Sequence, residues 1–235
     1  MKRLGIVGGT GPESTIEYYR LLQAKYRERV PDGSSPHLVI NSINLQGMLD
    51  LVAANRLAEL ADFLAAEVNR LAAAGADFGL LAANLPHIVF DAVQSRSKIP
   101  MISIVEATFE RAKALRLKTL GLFGARFTMG GDFYPRLSSK YAIKIVVPEL
   151  SEQNYIHEKY FGELMRGSVV EETRRGLLAI TDQMIQRDQI DGLILGGTEL
   201  SLILKEPSHH GIPFLDTTKI HVDAAINTML EQKGD

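Results

Sequence analysis

Short apolar runs that end in glycine or asparagine alternate with longer amphipathic stretches along this chain. These runs are predicted to form β-strands at residues 3–8, 37–42, 77–82, 101–104, 119–124, 143–147, 192–195 and 213–215. Most are apolar throughout, which is typical of parallel strands that are buried on both faces. With the helical stretches between them, they predict an α/β fold with a parallel sheet covered by helices.

Two long stretches place apolar residues at helical spacing. In residues 55–74 one face carries Leu57, Leu60, Phe63, Leu64, Val68 and Leu71. In residues 172–187 the same pattern is formed by Leu177, Leu178, Thr181, Met184 and Ile185. A last helix over residues 217–230 is expected to pack back onto the first half of the chain.

The two halves of the sequence resemble each other. Residues 4–9 (LGIVGG) parallel residues 120–125 (LGLFGA), and residues 76–84 parallel residues 190–198. The two offsets agree within a couple of residues, which predicts two similar doubly wound halves that face each other. We expect one domain of residues 1–100 plus 206–235, which includes the returning helix, and a second domain of residues 101–205.

Composition limits the classes of function. The chain has 235 residues, of which 46% are hydrophobic, so it can bury a core. Its formal net charge is -2, so it has no basic surface field that would favour nucleic acid or an anionic membrane. No apolar run approaches the ~20 residues of a membrane span. A cytoplasmic location is the default expectation. The sequence has no cysteine, which excludes disulfides, thiolate metal sites and thiol nucleophiles.

Ligands of open α/β sheets bind outside the carboxyl ends of the strands, so four turns are candidate sites. The first is residues 8–14 (GGTGPES), where Gly9 and Thr10 can present backbone N–H groups to an anion before a helix that starts near Pro12. It lacks the Gly-Lys-Ser/Thr ending of a phosphate-binding loop and the full dinucleotide spacing. A tight turn without a ligand is the alternative.

The second and third turns are residues 82–87 (AANLPH) and 196–199 (GGTE). Asn84 and Thr198 can each hydrogen-bond a carboxylate, or can each cap the helix that follows. The fourth turn is residues 124–131, in which Arg126 can bind an acidic ligand group or can be a solvated residue. The paired placement of Asn84 and Thr198 favours the functional interpretation.

The histidines are weaker candidates. His87 follows Pro86 at the start of a predicted helix and either points into the site or is partly exposed. His209 and His210 are adjacent in a loop, so their side chains are expected to diverge, and no metal site is predicted. His221 lies about one turn into the last helix. No Gly-x-Ser-x-Gly elbow and no convincing Ser/His/Asp set are found.

These motifs resemble the aspartate/glutamate racemase superfamily, and its aspartate racemase branch most closely. The resemblance covers almost the whole chain and is carried by residues 8–14, Asn84-x-Pro86-His87, Gly124-x-Arg126-Phe127-Thr128-Met129 with Phe133-Tyr134, residues 197–200 and residues 214–218. It implies two Rossmann-like domains with an inter-domain cleft, a small-molecule carboxylate as ligand, no cofactor and a homodimer. The implied substrate-binding positions are Gly9, Thr10, Asn84, Leu85, Arg126, Thr128 and Thr198.

The chain departs from the family pattern at the positions that carry the chemistry. In racemases of this family two cysteines flank the substrate α-carbon, and one thiolate removes the proton while the opposite thiol delivers another. A thiol of pKa ~8.5 can serve both roles near neutrality. Here the two positions hold Ala83 and Gly197, so the two-cysteine mechanism is excluded. Leu85 stands where the pattern has threonine, which removes one expected carboxylate-binding hydroxyl.

Three hypotheses remain open. The first is isomerisation or related carbanion chemistry on an amino acid or dicarboxylate, for which lyase or decarboxylase activity fits as well. Its candidate proton carriers are Glu13, His87, Tyr134, Glu199 and His221. The second is a carboxylate-binding protein that has lost catalysis. The third is an inactivated variant of a racemase, which Gly197 and Leu85 disfavour because inactivation requires neither change.

Overall fold

The computed structural model describes residues 1–231 and divides into two compact units. The first unit is Met1–Ile104 together with the residues from His221 onward, and the second is Val105–Ile220. Each unit contains its own sheet of parallel strands, and the second sheet has one antiparallel strand at its edge. The predicted α/β fold with two parallel-sheet domains is confirmed.

The first unit has a four-stranded parallel sheet in the order β2-β1-β3-β4, with registers such as Ile6 beside Ile40 and Leu80. Its elements are β1 (Leu4–Gly8), α1 (Pro12–Arg29), β2 (Leu38–Ser42), α2 (Leu45–Ala53), α3 (Leu57–Ala73), β3 (Phe78–Leu81), a 3-10 helix (Leu85–Val89), α4 (Phe90–Arg96) and β4 (Met101–Ile102).

The second unit has a five-stranded sheet in the order β6-β5-β7-β9-β8. Its elements are α5 (Ile104–Ala114), β5 (Thr119–Phe123), α6 (Arg126–Met129), a 3-10 helix (Pro135–Leu137), α7 (Ser138–Tyr141), β6 (Lys144–Val146), α8 (Leu150–Gly162), a 3-10 helix (Leu164–Arg166), α9 (Glu171–Asp188), β7 (Gly192–Leu195), α10 (Leu200–Ile203), β8 (Ser208–His209) and β9 (Ile212–Asp216). The chain then continues into α11 (Thr217–Leu230).

The sequence repeats occupy equivalent places in the two sheets. The first pair of similar segments forms β1 and β5, and the second pair forms β3 and β7. In both sheets these strands are hydrogen-bonded neighbours, and each of β1 and β5 is flanked on its other side by the next strand in sequence. The turns that follow the repeated segments therefore occupy matching positions in the two units.

The observed units differ from the predicted domains at both places where the chain passes from one unit to the other. Met101–Ile102 pairs with β3 and completes the first sheet, although the prediction began the second domain at residue 101. Ile212–Asp216 pairs with β7 in the second sheet, although the prediction placed residues 206–235 in the first domain. The physical reason is strand pairing, because each sheet gains its last parallel strand just before the chain leaves that unit.

Helices cover the first sheet on both faces. The apolar face predicted for α3 is buried at Leu60, Leu64, Val68 and Leu71, and it packs with Val7 of the first sheet. The opposite face carries Leu4, Ile6 and Leu80, which are covered by Tyr18 and Leu22 of α1 and by Val222, Ala225, Ile226 and Met229 of α11. Alternate strand residues thus serve two separate cores.

The second unit has its own core between the sheet and helices α8, α9 and α10. It includes Leu193 and Leu195 of β7, Leu177 and Met184 of α9 and Ile156 of α8. Among residues 1–231, no helix combines the length and the apolar character needed to cross a membrane.

Candidate functional site

Each sheet has one topological switch point, and the predicted turns lie there. In the first sheet the chain moves from β1 to β2 on one side and later to β3 on the other, so the order reverses between β1 and β3. In the second sheet it reverses between β5 and β7 in the same way. Open α/β sheets bind their ligands in the crevice at such points. All four candidate turns follow these strands.

The turn after β1 is shaped by glycine. Gly9 has φ +76°, and a Cβ at this position would lie 2.7 Å from the backbone nitrogen of Ile43, so a side chain cannot fit. The N–H of Gly9 donates to the Thr15 hydroxyl at 2.8 Å. This predicted ligand-binding amide is therefore used within the turn. The 18-residue helix α1 begins directly after the turn, at Pro12.

Thr10 lies in the same turn and carries a buried polar atom. Its Oγ1 is shielded from solvent and has no hydrogen-bond partner among residues 1–231. A buried hydroxyl left in this state costs roughly 1–3 kcal/mol. Buried polar groups in native folds are nearly always hydrogen-bonded, so an unpaired one calls for an explanation. Glu13, in the first turn of α1, is exposed.

The turn after β3 is held by hydrogen bonds to its backbone. The Ser14 hydroxyl donates to the Ala82 carbonyl at 2.7 Å, which joins the start of α1 to the end of β3. Ala83 offers only a methyl group, and Asn84 is buried at the first switch point. Leu85 packs against the core on the α3 face, so its side chain belongs to that core.

His87 is a buried, neutral histidine. Its Nε2 accepts the N–H of Ile104 at 3.1 Å, so the ring proton is on Nδ1, which donates to the Ala83 carbonyl at 3.0 Å. Burial, with the nearby His221, lowers the pKa of His87 to about 3. Neither predicted location, in the ligand site or partly exposed, matches this environment. Both ring nitrogens instead form hydrogen bonds with backbone groups of the first unit.

His221 and Tyr134 are also fully buried. Nε2 of His221 donates to the Ile102 carbonyl at 2.9 Å, and Nδ1 accepts from the Tyr18 hydroxyl at 2.8 Å. Burial lowers the pKa of His221 to about 4. Tyr134 is bonded to Thr108, and burial raises the pKa of its phenol. These two candidate proton carriers therefore have structural hydrogen bonds inside their own units.

The second switch point is packed closely around Thr128. A Cβ on Gly124 would lie 2.8 Å from the Thr128 methyl, and one on Gly196 would lie 3.1 Å from the same group. Thr128 is buried and fits between the ends of β5 and β7. Packing explains its position without any ligand.

Arg126 is exposed at the start of α6. Its guanidinium donates to the Asn154 side chain at 3.4 Å, and its backbone N–H donates to His157 Nδ1 at 3.3 Å. Burial, and secondly the positive charge of Arg126, lowers the pKa of His157. Arg126 thus lies against α8 while its charge stays accessible to solvent.

The turn after β7 contains a buried acid that is paired with a tyrosine. Glu199 accepts a hydrogen bond from the hydroxyl of Tyr160, which comes from α8. A Cβ on Gly197 would lie 2.6 Å from the Tyr160 hydroxyl oxygen and 2.7 Å from a ring carbon. Thr198, between these two positions, accepts a hydrogen bond from the Ser201 hydroxyl at 2.8 Å through its carbonyl.

Sequence reasoning identified Glu199 but missed Tyr160. Tyr160 lies 37 positions before Gly197 on a different element, and no motif connects them. The only signal was Gly197 itself, because a glycine at a strand end leaves space for a neighbouring side chain.

His209 and His210 converge, contrary to the prediction that they diverge. Their ring centroids are 4.2 Å apart, and His209 Nε2 lies 2.7 Å from Asp182 Oδ1 while His210 Nε2 lies 3.7 Å from it. The cause is the tight turn between β8 and β9, in which His210 has φ +47° and Gly211 has φ +81°. This left-handed backbone turns the second ring toward the first.

Comparisons with known proteins show the family of this chain. The Asp/Glu/Hydantoin racemase family matches residues 7–225. A candidate Asp/Glu racemase from Yersinia pestis is 28% identical with a TM-score of 0.90, over 98% of this chain and 100% of that chain. An aspartate racemase homologue from Pyrococcus horikoshii OT3 is 31% identical with a TM-score of 0.85, also over 98% and 100%. The aspartate racemase of Picrophilus torridus shares the fold at 20% identity, a TM-score of 0.79 and coverage of 99% and 96%. The chain therefore belongs to the Asp/Glu/hydantoin racemase family.

Proposed function

We propose that this protein binds a small carboxylate, an amino acid or a dicarboxylate, at the carboxyl ends of its central strands. We further propose that it isomerises this ligand, or performs related carbanion chemistry, without thiols and without a cofactor. Family membership supports the class of ligand, since the similar proteins are named for aspartate and glutamate. An inter-domain cleft, a homodimer and a cytoplasmic location belong to the same proposal.

The buried hydroxyl of Thr10 is the observation that carries this proposal. It lies between β1 and the start of α1, where the helix dipole and the first backbone N–H groups favour a negative charge. A carboxylate oxygen there would accept the Thr10 hydrogen bond that residues 1–231 leave unmade. Binding would then recover the cost of burying that hydroxyl.

Carbanion chemistry also needs a group that moves a proton. Ala83 and Gly197 have none, and His87, His221 and Tyr134 are engaged in structural hydrogen bonds. Of the five predicted carriers, Glu13 and Glu199 remain. Glu13 is exposed in the first turn of α1, and Glu199 is buried at the switch point of the second sheet.

Replacing Thr10 with valine tests the binding site. Thr10→Val keeps the shape of the side chain but removes the donor, so affinity for a bound carboxylate should fall about tenfold to a hundredfold, as expected for a hydrogen bond to a charged group. The same change should raise the melting temperature of the ligand-free protein, because an unpaired buried hydroxyl is removed. Calorimetric titration with both enantiomers of aspartate and glutamate, followed by chiral chromatography, measures binding and turnover.

Thr119→Val is the matched control, since this threonine lies at the amino end of β5. It should leave the affinity for the carboxylate unchanged. Failure of every carboxylate to bind would overturn the proposal, and so would equal affinity in the Thr10→Val variant. Binding without any turnover would identify a carboxylate-binding protein instead, an alternative that Ala83 and Gly197 favour.

A further inference from the structure

Two histidines and an aspartate bring their metal-ligating atoms together within the second unit. Asp182 lies on α9, His209 ends β8, and His210 follows in the turn to β9. One nitrogen of each ring and one carboxylate oxygen all lie within 4.8 Å of one another. The sequence alone predicts no metal site here, because Asp182 stands 27 positions before His209 and on a different element.

The turn between β8 and β9 directs the second ring toward the aspartate. His209 pairs with Ile212, so His210 and Gly211 form a two-residue hairpin loop, with φ values of +47° and +81°. Type I′ hairpin turns have positive φ at both of these positions and usually place asparagine, aspartate or glycine at the first. Adjacent residues of an extended strand point to opposite faces, whereas this left-handed loop brings the two imidazoles together.

Hydrogen bonding accounts for only one of the two rings. Nε2 of His209 lies 2.7 Å from Oδ1 of Asp182, which is a hydrogen-bond distance. Nε2 of His210 lies 3.7 Å from the same oxygen, which is too far for a hydrogen bond. Ligand atoms around a tetrahedral Zn²⁺ stand roughly 3.3 Å apart, a separation between these two distances. Small side-chain rotations would therefore let one ion contact all three residues.

The elements that carry the three side chains are well packed. α9 has 18 residues, and Leu178 and Ile185, about one turn on either side of Asp182, pack against the core of the second unit. Phe214 of β9 packs against the same core. Because β9 runs parallel to β7 and the histidines precede it, they lie at the amino end of these strands, opposite the turn that follows β7.

We propose that Asp182, His209 and His210 bind one Zn²⁺ ion. The ligands are Nε2 of each imidazole and Oδ1 of the carboxylate, and water takes the fourth position, since His210 is exposed to solvent. Imidazole nitrogen and carboxylate oxygen are both ligands that Zn²⁺ accepts in proteins. The ion joins α9 to the β8–β9 hairpin. This site does not depend on the proposed function, because its residues are separate from the candidate carboxylate site.

Calorimetric titration of the full chain with zinc chloride tests the site. One Zn²⁺ should bind per chain, and Asp182→Asn and His210→Asn should each weaken binding at least about tenfold, the smallest loss expected even for a residue that only supports a metal ligand. Asparagine keeps the shape of Asp182 and suits the left-handed turn at His210, so both variants should fold. Circular dichroism checks this.

Titration with Co²⁺ supplies a second readout. A four-coordinate Co²⁺ ion absorbs visible light much more strongly than the hydrated ion, so the coordination geometry is observed directly. The absorption should develop in the unchanged chain and should be lost in both Asp182→Asn and His210→Asn.

His37→Gln is the matched control, because His37 is an exposed histidine of the first unit. Its affinity for Zn²⁺ should equal that of the unchanged chain. Mg²⁺ is the control ion, since it prefers oxygen ligands in octahedral geometry and should not be bound by this histidine-rich set. Binding of Mg²⁺ as tight as that of Zn²⁺ would overturn the proposed ligands.

The remaining outcomes are equally decisive. Weaker Zn²⁺ binding in both cluster variants, with His37→Gln unchanged, supports the site. Affinity retained in either folded cluster variant indicates adventitious binding elsewhere on the surface and overturns the proposal, and so does the absence of Zn²⁺ binding to the unchanged chain. None of these results bears on the proposed function, which the carboxylate titrations with Thr10→Val test separately.

Discussion

At the scale of single residues, the Tyr160 ring fills the space that any other amino acid at position 197 would need for its Cβ. The Tyr160 hydroxyl oxygen and two carbons of its ring lie at 2.6 to 2.9 Å from that point, a separation at which non-bonded atoms repel strongly. Tyr160 is buried and is also tied to Glu199, so it has little freedom to move aside. The effect of a single methyl group at this position is therefore large.

Gly197→Ala should destabilise the protein by about 1–3 kcal/mol, the usual cost of overpacking a buried site. Denaturant unfolding, compared with the unchanged chain, measures this cost. Gly47→Ala is the control, because Gly47 is an exposed residue of α2 with no atom within 4 Å of its Cβ position. That change should stabilise by about 0.5–1 kcal/mol through helix propensity. Effects of the same sign in the two variants would contradict the packing described around Gly197.

The two buried histidines make the free energy of unfolding depend on pH. His87 and His221 have pKa values lowered to about 3 and about 4 by burial, whereas an unfolded histidine titrates near ~6.5. As the pH falls below that value, the unfolded chain takes up protons that the folded chain does not. Their stabilising contribution is thus complete above the unfolded pKa and is lost progressively as the pH falls toward the folded pKa.

Between about pH 6 and pH 4.5, each histidine should reduce the free energy of unfolding by about 1.4 kcal/mol per pH unit. Urea unfolding across this range measures the slope. His87→Gln and His221→Gln should each unfold more easily at pH 7, since they lose buried hydrogen bonds, but should show a shallower pH dependence. An undiminished slope in both variants would contradict the neutral, buried state of the two rings.

At the scale of elements, the last strand of each sheet leads into a helix that groups with the other unit. β4 belongs to the first sheet and is followed by α5, nearly all of which lies in the second unit. β9 belongs to the second sheet and is followed by α11, most of which lies in the first unit. In the first unit, α11 fills the core beside β1 and α1. This helix is therefore a structural part of the first unit.

Ile226→Ala should test how much of the first core depends on α11. Ile226 is 1% exposed, so truncation to alanine should cost about 2–5 kcal/mol through lost burial and a new cavity. Thr228→Ala, two residues later on the same helix and only partly buried, should change stability by less than about 1 kcal/mol. Equal losses on denaturant unfolding would show that α11 does not pack as described.

At the scale of the whole molecule, the repeated sequence segments predicted the architecture. Apolar runs and helical spacing give the order of strands and helices, and the matching segments form β1 and β5, then β3 and β7. The units differ from the predicted domains because hydrophobic periodicity locates a strand along the chain but does not show which strand it pairs with. Only pairing assigns Met101–Ile102 to the first sheet and Ile212–Asp216 to the second.

The sequence located the candidate site better than it assigned the roles of its residues. Turns at strand ends placed Thr10, Asn84 and Glu199 at the switch points, because topology alone determines where those points fall. It did not predict that His87 is fully buried or that Tyr160 lies beside Gly197, since both depend on contacts between elements distant along the chain. Tertiary packing therefore sets the environment of each of these side chains, and local motifs do not reveal it.

The position of α11 also has a consequence for synthesis on the ribosome. The strands that it covers are complete by Ile102, but α11 begins only at Thr217. While the intervening residues are translated, Leu4, Ile6 and Leu80 lack the part of their core that α11 supplies, and they expose an apolar surface. The first unit is therefore synthesised first, but its core is complete only after the whole second unit has been translated.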